Sequence, residues 1–287
     1  MARFDTITFL SDYGTADEFV GVVKSVIRSI VPEVTVVDLT HEIPAYDVRA
    51  GSLALGRATQ YLCPGVVLAV VDPGVGTERR AIAVEVGGGQ SYLVGPDNGL
   101  LASAVAMCGG ATAAVELANS EYQLEAPGPT FAGRDVFAPA AAHLCAGVPL
   151  RELGPAIDPV SLLPGLIPIP RDGDDGLTAD VLWVDRYGNC QLNVDPDELE
   201  SYGDRILLRW GDDARVGERA PTYEGIAPGQ VGLVVDSYGM LSVCLGRRSA
   251  AAELRMDVGT EITLSVPTGA DEPKPAAQPV TFTPRSS

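Results

Sequence analysis

Continuous runs of β-branched and other apolar residues recur along the first 165 or so positions. TITFL (6–10), VTVVDL (34–39), VVLAVVD (66–72), AIAVEV (81–86) and SYLVG (91–95) do not alternate with polar residues, which is the pattern of strands covered on both faces. Helical spacing is read over residues 17–30, 47–61, 97–108 and 134–146. The alternation predicts an α/β N-terminal domain over residues 1–165 with a mostly parallel central sheet. The pattern then breaks at LIPIPRDGDDG, whose Pro, Asp and Gly predict a connection over 166–178. Beyond it LTADVLWVD, CQLNV, RILLRW, GLVVDS, LSVCLG and EITLSV are short strand signals with few helical segments between them. They predict a smaller, antiparallel, barrel-like all-β domain over 179–268. Residues 269–287 are Pro-rich and nonperiodic, and are expected to be disordered or peripheral.

Composition narrows the function classes. The 287-residue chain is 46% hydrophobic with a mean hydropathy of +0.16, yet its longest apolar runs, such as GVVLAVV at 65–71, are too short to span a bilayer. With no secretory signal pattern at MARFDTITFLSDYG, a cytoplasmic protein without a membrane partner is expected. A net charge of −18 opposes binding to nucleic acid, which needs clustered Lys and Arg. Cys63, Cys108, Cys145, Cys190 and Cys244 are odd in number and set in apolar surroundings, so five buried, reduced thiols are expected. The two histidines, His41 and His143, form no HxH or HExxH pattern and no CxxC occurs, so no metal site is expected. Both histidines read as structural, because no Ser or Cys nucleophile motif accompanies them.

Four stretches carry candidate chemistry. FLSDYGTADEFVG (9–21) runs from a strand into Ser11, Asp12 and Gly14, where open α/β sheets bind ligands; Asp12 there suits ribose hydroxyls, and the plainer alternative is that Asp12 or Asp17 caps the next helix. In VVDPGVGTERRA (70–81) a Gly-rich turn is expected to bring Arg79 and Arg80 back toward Asp72. The carboxylate and guanidinium can face one small polar species such as water, or simply form a structural ion pair. PGPTFAGRDVFAPA (127–140) places Phe131, Ala132, Gly133, Arg134 and Asp135 at a helix N-terminus, where free N–H groups and a glycine allow close approach of a ligand. In the β domain, DRYGNCQLN presents Asp185 and Asn189, and DSYGMLSVCLGRRSAA presents Ser237. These suit an amino acid's ammonium and carboxylate or an adenine edge, and each is also an ordinary turn.

Taken in order, F-x-SD-x-G-x-x-D, V-V-D-x-x-H-x-I-P, D-P-G-V-G-T-x-R, P-D-N-G-L-L, T-F-x-G-R-D-x-F-A-P and D-x-x-GN resemble the SAM hydroxide adenosyltransferase family. Its members are adenosine-forming S-adenosyl-L-methionine (SAM) hydrolases, related to the fluorinase and chlorinase. The resemblance spans residues 4–266. It implies a homotrimer with SAM, a substrate rather than a cofactor, held between subunits and converted to adenosine and L-methionine. It also implies Asp12 on the ribose, Asp17, Asp185 and Ser237 toward the methionine end, and Tyr46 and Phe131 in the pocket wall. Asn189 and the backbone around Arg247 fall on the adenine side. Asp72 and Arg79 are two of three water-handling groups; the third, a histidine, is replaced here by Ala132. The halogenase relatives resemble one another in a tyrosine where this chain has Asp72. A halide-using transferase and a noncatalytic SAM- or adenosine-binding protein are the alternative readings.

Overall fold

Ile7, Phe9, Leu10, Val66, Val67, Leu68 and Val70 are almost wholly withdrawn from water, because the strands that carry them are sandwiched between helices. The computed structural model describes residues 3–268, and the 269–287 tail expected to be disordered or peripheral lies outside the described residues. The chain divides into two units, Met1–Ile167 and Pro168–Ser287.

In the first unit, β1 (Thr6–Ser11), β2 (Thr35–Thr40), β3 (Val66–Val70), β4 (Ala81–Val86), β5 (Ser91–Pro96), β6 (Ala111–Glu116) and β7 (Ala156–Ile157) form one sheet in the order β2-β1-β3-β5-β4-β6-β7. Pairing is parallel from β2 to β5 and antiparallel from β5 to β7. Five strands therefore share one direction, and β4 and β7 oppose them. Side chains alternate across β3: Val66, Leu68 and Val70 pack with Val23 and Ile27 of α1 (Phe19–Ile30), whereas Val67 and Ala69 pack with Leu55 of α2 (Val48–Ala58) and Ala104 of α3 (Ala102–Met107). The period-2 geometry of a strand puts successive side chains on opposite faces, so helices cover both. The fourth helix, α4 (Ala138–Ala146), joins the α1 face through Ala141, Ala142 and Leu144.

Helix starts differ from the periodicity reading where side chains hold the preceding backbone. The 97–108 pattern yields a helix only from Ala102, because Asn98 Oδ1 accepts from Leu100 N at 3.1 Å and Asp97 is bonded elsewhere. The 134–146 pattern begins with a π turn at Gly133–Phe137 before α4. β6 was not legible: ATAAVE lacks a β-branched run, and its strand conformation comes from pairing along the whole of β4.

In the second unit, β8 (Arg171–Gly173) forms a hairpin with β9 (Gly176–Val184), within the stretch that reads as a connection. The strands β9, β10 (Cys190–Leu192), β11 (Arg205–Trp210), β12 (Asp213–Arg219), β13 (Val231–Val235), β14 (Leu241–Leu245) and β15 (Glu261–Ser265) close a barrel in the order β9-β10-β14-β13-β12-β11-β15. Closure leaves no unpaired edge among these seven. Its interior holds Val181, Leu192, Leu208, Leu233, Val243 and Leu264. One neighbour pair, β12 with β13, is parallel, a departure from the purely antiparallel expectation. The charged DARVGER of β12 gave no strand signal because most of it faces water. A short helix, α5 (Ala250–Leu254), starts at the Ser249 cap and its Leu254 carbonyl accepts from Trp210 Nε1 at 2.9 Å.

The expectation of five buried thiols is corrected. Cys145, Cys190 and Cys244 are buried, and burial pushes the Cys145 and Cys190 thiols up to about 12. Cys63 is exposed and Cys108 half-buried, because Cys63 falls in the turn before Pro64 and Cys108 at the end of α3.

Candidate active site

The parallel strands end together, and the loops that leave them build the site. Beyond β1, the Asp12 N–H donates to Val70 O of β3 at 3.3 Å, and Gly14 N, at a φ of +65°, donates to His41 O at 2.7 Å. His41 braces the same loop with its side chain. Its Nε2 meets Asp38 Oδ1 at 3.1 Å, its Nδ1 meets Ser11 Oγ at 2.8 Å, and Lys24 Nζ lies 2.8 Å from Asp38 Oδ2. With a proton on Nε2 facing the carboxylate, Nδ1 accepts from the Ser11 hydroxyl. The order Ser–His–Asp is that of a nucleophile triad, yet Ser11 is fully buried and His41 nearly so. It is a brace, and this Ser–His contact was invisible in sequence because 30 residues separate the partners. At Asp38 burial opposes ionisation, but hydrogen bonds from Lys24 and His41 outweigh it and hold the carboxyl below its usual range. His143 packs edge-on against Tyr122 at 4.9 Å, and its burial lowers its proton affinity.

Asp12 Oδ2 accepts the backbone N–H of Tyr46 at 2.9 Å. Among the described residues Oδ1 has no partner, so one carboxylate oxygen is committed to the loop and the other is unpaired. Tyr46 takes a left-handed φ of +69° and is 74% exposed. Asp17 is exposed and caps nothing: the residue before α1 is Glu18, which makes no side-chain cap bond.

Beyond β3, the DPGVGT turn returns Arg79 onto Asp72. Nε donates to Oδ1 at 2.8 Å and Nη2 donates to Oδ2, a two-pronged pair in which the Asp72 side chain is 6% exposed and Arg79 16%. The ion pair anticipated as the plainer alternative is present, and it sits at the edge of a cleft. Arg79 Cζ also lies 5.1 Å from the Phe137 ring centroid. The expectation that Arg80 returns toward Asp72 is corrected: Arg80 pairs with the buried Asp97, Nε to Oδ2 at 2.8 Å, and donates to Ser161 O at 2.7 Å. Adjacent residues entering a strand face opposite sides, so Arg79 and Arg80 cannot share one carboxylate.

Asp12, Tyr46, Asp72, Phe131, Ala132 and Gly133 line one cleft of about 310 Å³, together with Tyr13 and Phe19. Ala132 also borders a second cleft of about 530 Å³ that includes Arg79, Leu124 and Asp135. The π turn opens at Gly133, where a Cβ would overlap the Tyr13 hydroxyl; a π turn is a common local device at functional sites. Arg134 is turned onto Asp135, Nε to Oδ1 at 2.6 Å, and its Cζ sits 5.1 Å from the Phe131 ring. Those two residues form an ion pair with each other, leaving Phe131, Ala132 and Gly133 to this cleft. With Phe19, Tyr13 is a lining residue that sequence reasoning missed. Its place between Asp12 and Gly14 was the only signal, because its partners Phe19 and Phe131, 5.6 and 5.7 Å away between ring centroids, are remote in sequence or unpatterned.

In the second unit, Asp185 Oδ1 accepts from Tyr187 N and Asn189 N, each at 2.8 Å, and Oδ2 accepts from Asn189 Nδ2 at 2.8 Å. Asp185 and Asn189 are thus brought together in one rigid turn, whose Gly188, at a φ of +83°, has no room for a Cβ against Ser249. Ser237 is exposed in the β13–β14 turn. Arg247, also exposed and at a φ of +56°, borders a separate cleft of about 340 Å³ with Tyr223 and Leu245, and pairs with Glu224 at 2.9 Å.

The family models for the SAM hydroxide adenosyltransferase N-terminal and C-terminal domains match residues 7–154 and 179–263. A Salinispora tropica protein named (R)-S-adenosyl-L-methionine hydrolase is 42% identical over 265 residues, covering 92% of this chain and 99% of that protein. A fluorinase from Actinopolyspora mzabensis is 30% identical over 294 residues, covering 90% and 96%. An uncharacterized conserved protein from Thermotoga maritima, known by its crystal structure, superposes with a TM-score of 0.83 at 33% identity, over 90% of this chain and 99% of that one.

Removing one member of a part-buried ion pair leaves the other without its partner. Asp72→Ala leaves the Arg79 guanidinium, 16% exposed, without its carboxylate, and the expected loss is about 1.5–3 kcal/mol of stability. Urea denaturation of both proteins measures it; an unchanged midpoint and slope would show that the pair contributes nothing to the fold.

Proposed function

As the chain belongs to the SAM hydroxide adenosyltransferase family, we propose that it hydrolyses SAM to adenosine and L-methionine by attack of water at ribose C5′. The observation that carries this reading is the part-buried Asp72–Arg79 pair at the edge of a cleft that also holds Asp12. A new bond forms between the water oxygen and C5′, while the C5′–S bond breaks and its electron pair stays on sulfur. The sulfonium leaves as a neutral thioether, so departure needs no general acid. What remains is to place the water in line and to receive its proton, tasks of orientation and fixed polarity. Asp72 accepts a water hydrogen and passes the proton to solvent, while Arg79 locks the carboxylate in orientation.

Asp12 Oδ1 takes the ribose hydroxyls, with Tyr46, Phe131 and Gly133 as walls. Asp17, Asp185 and Ser237 serve the methionine end, and Asn189 with the backbone at Arg247 the adenine side; the barrel residues of each site are supplied by a neighbouring subunit of a cytoplasmic homotrimer. SAM is the substrate and no cofactor is required. The pairing of Arg79 with Asp72 leaves that guanidinium no free charge to hold a halide, which speaks against a halide-using transferase. Ala132 favours one second reading, a noncatalytic SAM- or adenosine-binding protein, since it removes a side chain from the water-handling set.

Chromatography of SAM incubated with the protein, with and without chloride, is expected to yield adenosine and methionine in both conditions. A chlorinated nucleoside supports the halide reading, and unchanged SAM the noncatalytic one. Asp12→Ala is expected to weaken SAM and adenosine binding together by about 1.5–3 kcal/mol, the worth of a charge-assisted hydrogen bond. Unchanged adenosine affinity in the folded variant would remove Asp12 from the ribose. Ala132→His restores a polar side chain beside Asp72, and is expected to raise the single-turnover rate by roughly 10²- to 10⁴-fold if the imidazole moves protons. An unchanged rate, with fold and affinity intact, would place residue 132 outside the water site.

A further inference from the structure

Tyr13 brings a hydroxyl into this cleft. Its ring is fixed by edge contacts, at 6.5 Å to Phe9 and 5.7 Å to Phe131, and by a tilted contact at 5.6 Å to Phe19. The hydroxyl is thereby carried over the Cα of Gly133, next to Ala132 and in the same cleft as Asp72. Among the described residues nothing donates to or accepts from Tyr13 Oη; the one hydrogen bond of this residue is from its backbone N–H to Ser11 Oγ at 3.4 Å. A half-buried hydroxyl without a protein partner calls for a ligand or a solvent molecule to complete it. The brace at Ser11 and His41 holds the loop from which it projects, so its aim is set before any ligand arrives.

We propose that Tyr13 is a water-positioning residue of the hydrolytic site, occupying the functional place left by Ala132. The attacking water donates one hydrogen to Asp72 and the other to the phenolic oxygen of Tyr13, which leaves a lone pair directed at C5′. Burial raises the proton affinity of Tyr13, and the negative charges of Asp12, Asp72 and Asp135 add to this against the opposing effect of Arg79. The group therefore stays a neutral hydroxyl through the working pH range: it orients the water and does not remove its proton. Gly133 is part of the same device, because any side chain there would push the hydroxyl away.

The inference rests on the hydrolase reading, so its test has one arm that needs no turnover. In a high-resolution crystal structure with adenosine bound, an ordered water is expected within hydrogen-bond reach of both Tyr13 Oη and the Asp72 carboxylate, and it should be lost in Tyr13→Phe. No solvent shared by those two groups overturns the inference whether or not the protein hydrolyses SAM. In the kinetic arm, Tyr13→Phe keeps the ring and its packing. It is expected to lower the single-turnover rate at saturating SAM about tenfold, the worth of one hydrogen bond, with SAM affinity held within about twofold, the ring packing being preserved. Ala132→His should then accelerate Tyr13→Phe by a larger factor than it accelerates the parent chain, because both groups address one water. A rate unchanged by Tyr13→Phe, or equal factors for Ala132→His in both backgrounds, overturns it. Absence of turnover in the parent chain defeats the hydrolase reading alone, and the crystallographic arm then decides for Tyr13.

Discussion

Parallel strand pairing concentrates carboxylates at one edge of the first sheet, and each must be compensated there. The register sets Ser11 of β1 beside Val70 of β3, and Leu68 of β3 beside Val94 of β5, so Asp12, Asp72 and Asp97 leave their strands on the same side. Coulomb repulsion between such groups is about 4 kcal/mol at 4 Å for an effective dielectric of 20. The compensation is specific at each position. Asp72 takes Arg79, Asp97 takes Arg80 and the Leu163 N–H, and Asp12 takes only the Tyr46 N–H. Asp12 is thus the carboxylate of the three without a cation, and the one suited to a polar or cationic ligand.

That difference decides which side chains are scaffold and which are tools. Arg80 and Asp97 pin the segment around Ser161 and Leu163 to the end of β5. Arg134 and Asp135 satisfy each other within the π turn. Among the groups that line the cleft with unused capacity are Asp12 Oδ1, the remaining lone pairs of Asp72 and the Tyr13 hydroxyl. In the barrel the Asp185 turn is closed by its own hydrogen bonds, so it offers a rigid shape, and the side-chain Oδ1 of Asn189 has no partner among the described residues.

The layers of the fold were readable because buried strands leave long apolar runs, as in β1 and β3, and because the break at residues 165–175 is compositional. Elements shaped by their neighbours were not: β6 is alanine-rich and β12 charged, and only pairing makes them strands. Site residues were legible where one short stretch held both partners, as with Asp72 and Arg79 or Asp185 and Asn189. The brace from Ser11 through His41 to Asp38 joins two strands, and Tyr13 depends on aromatic rings from three segments. Such relations exist in space and carry no local spacing.

The charge pattern also constrains the nucleophile in the proposed reaction. A chain of net charge −18 with an unpaired Asp12 in its cleft attracts a sulfonium, and it opposes hydroxide as it opposes halide. Neutral water pays no such penalty, and it can donate both hydrogens to acceptors already in place. Breaking the C5′–S bond removes the sulfonium charge, so the attraction that gathers the substrate is absent from adenosine. An acidic cleft therefore favours entry of the cation and release of the uncharged nucleoside, provided that the group receiving the proton returns it to solvent. In the proposed reaction that group is Asp72, held by Arg79 in one orientation; prompt return of its proton restores the ion pair.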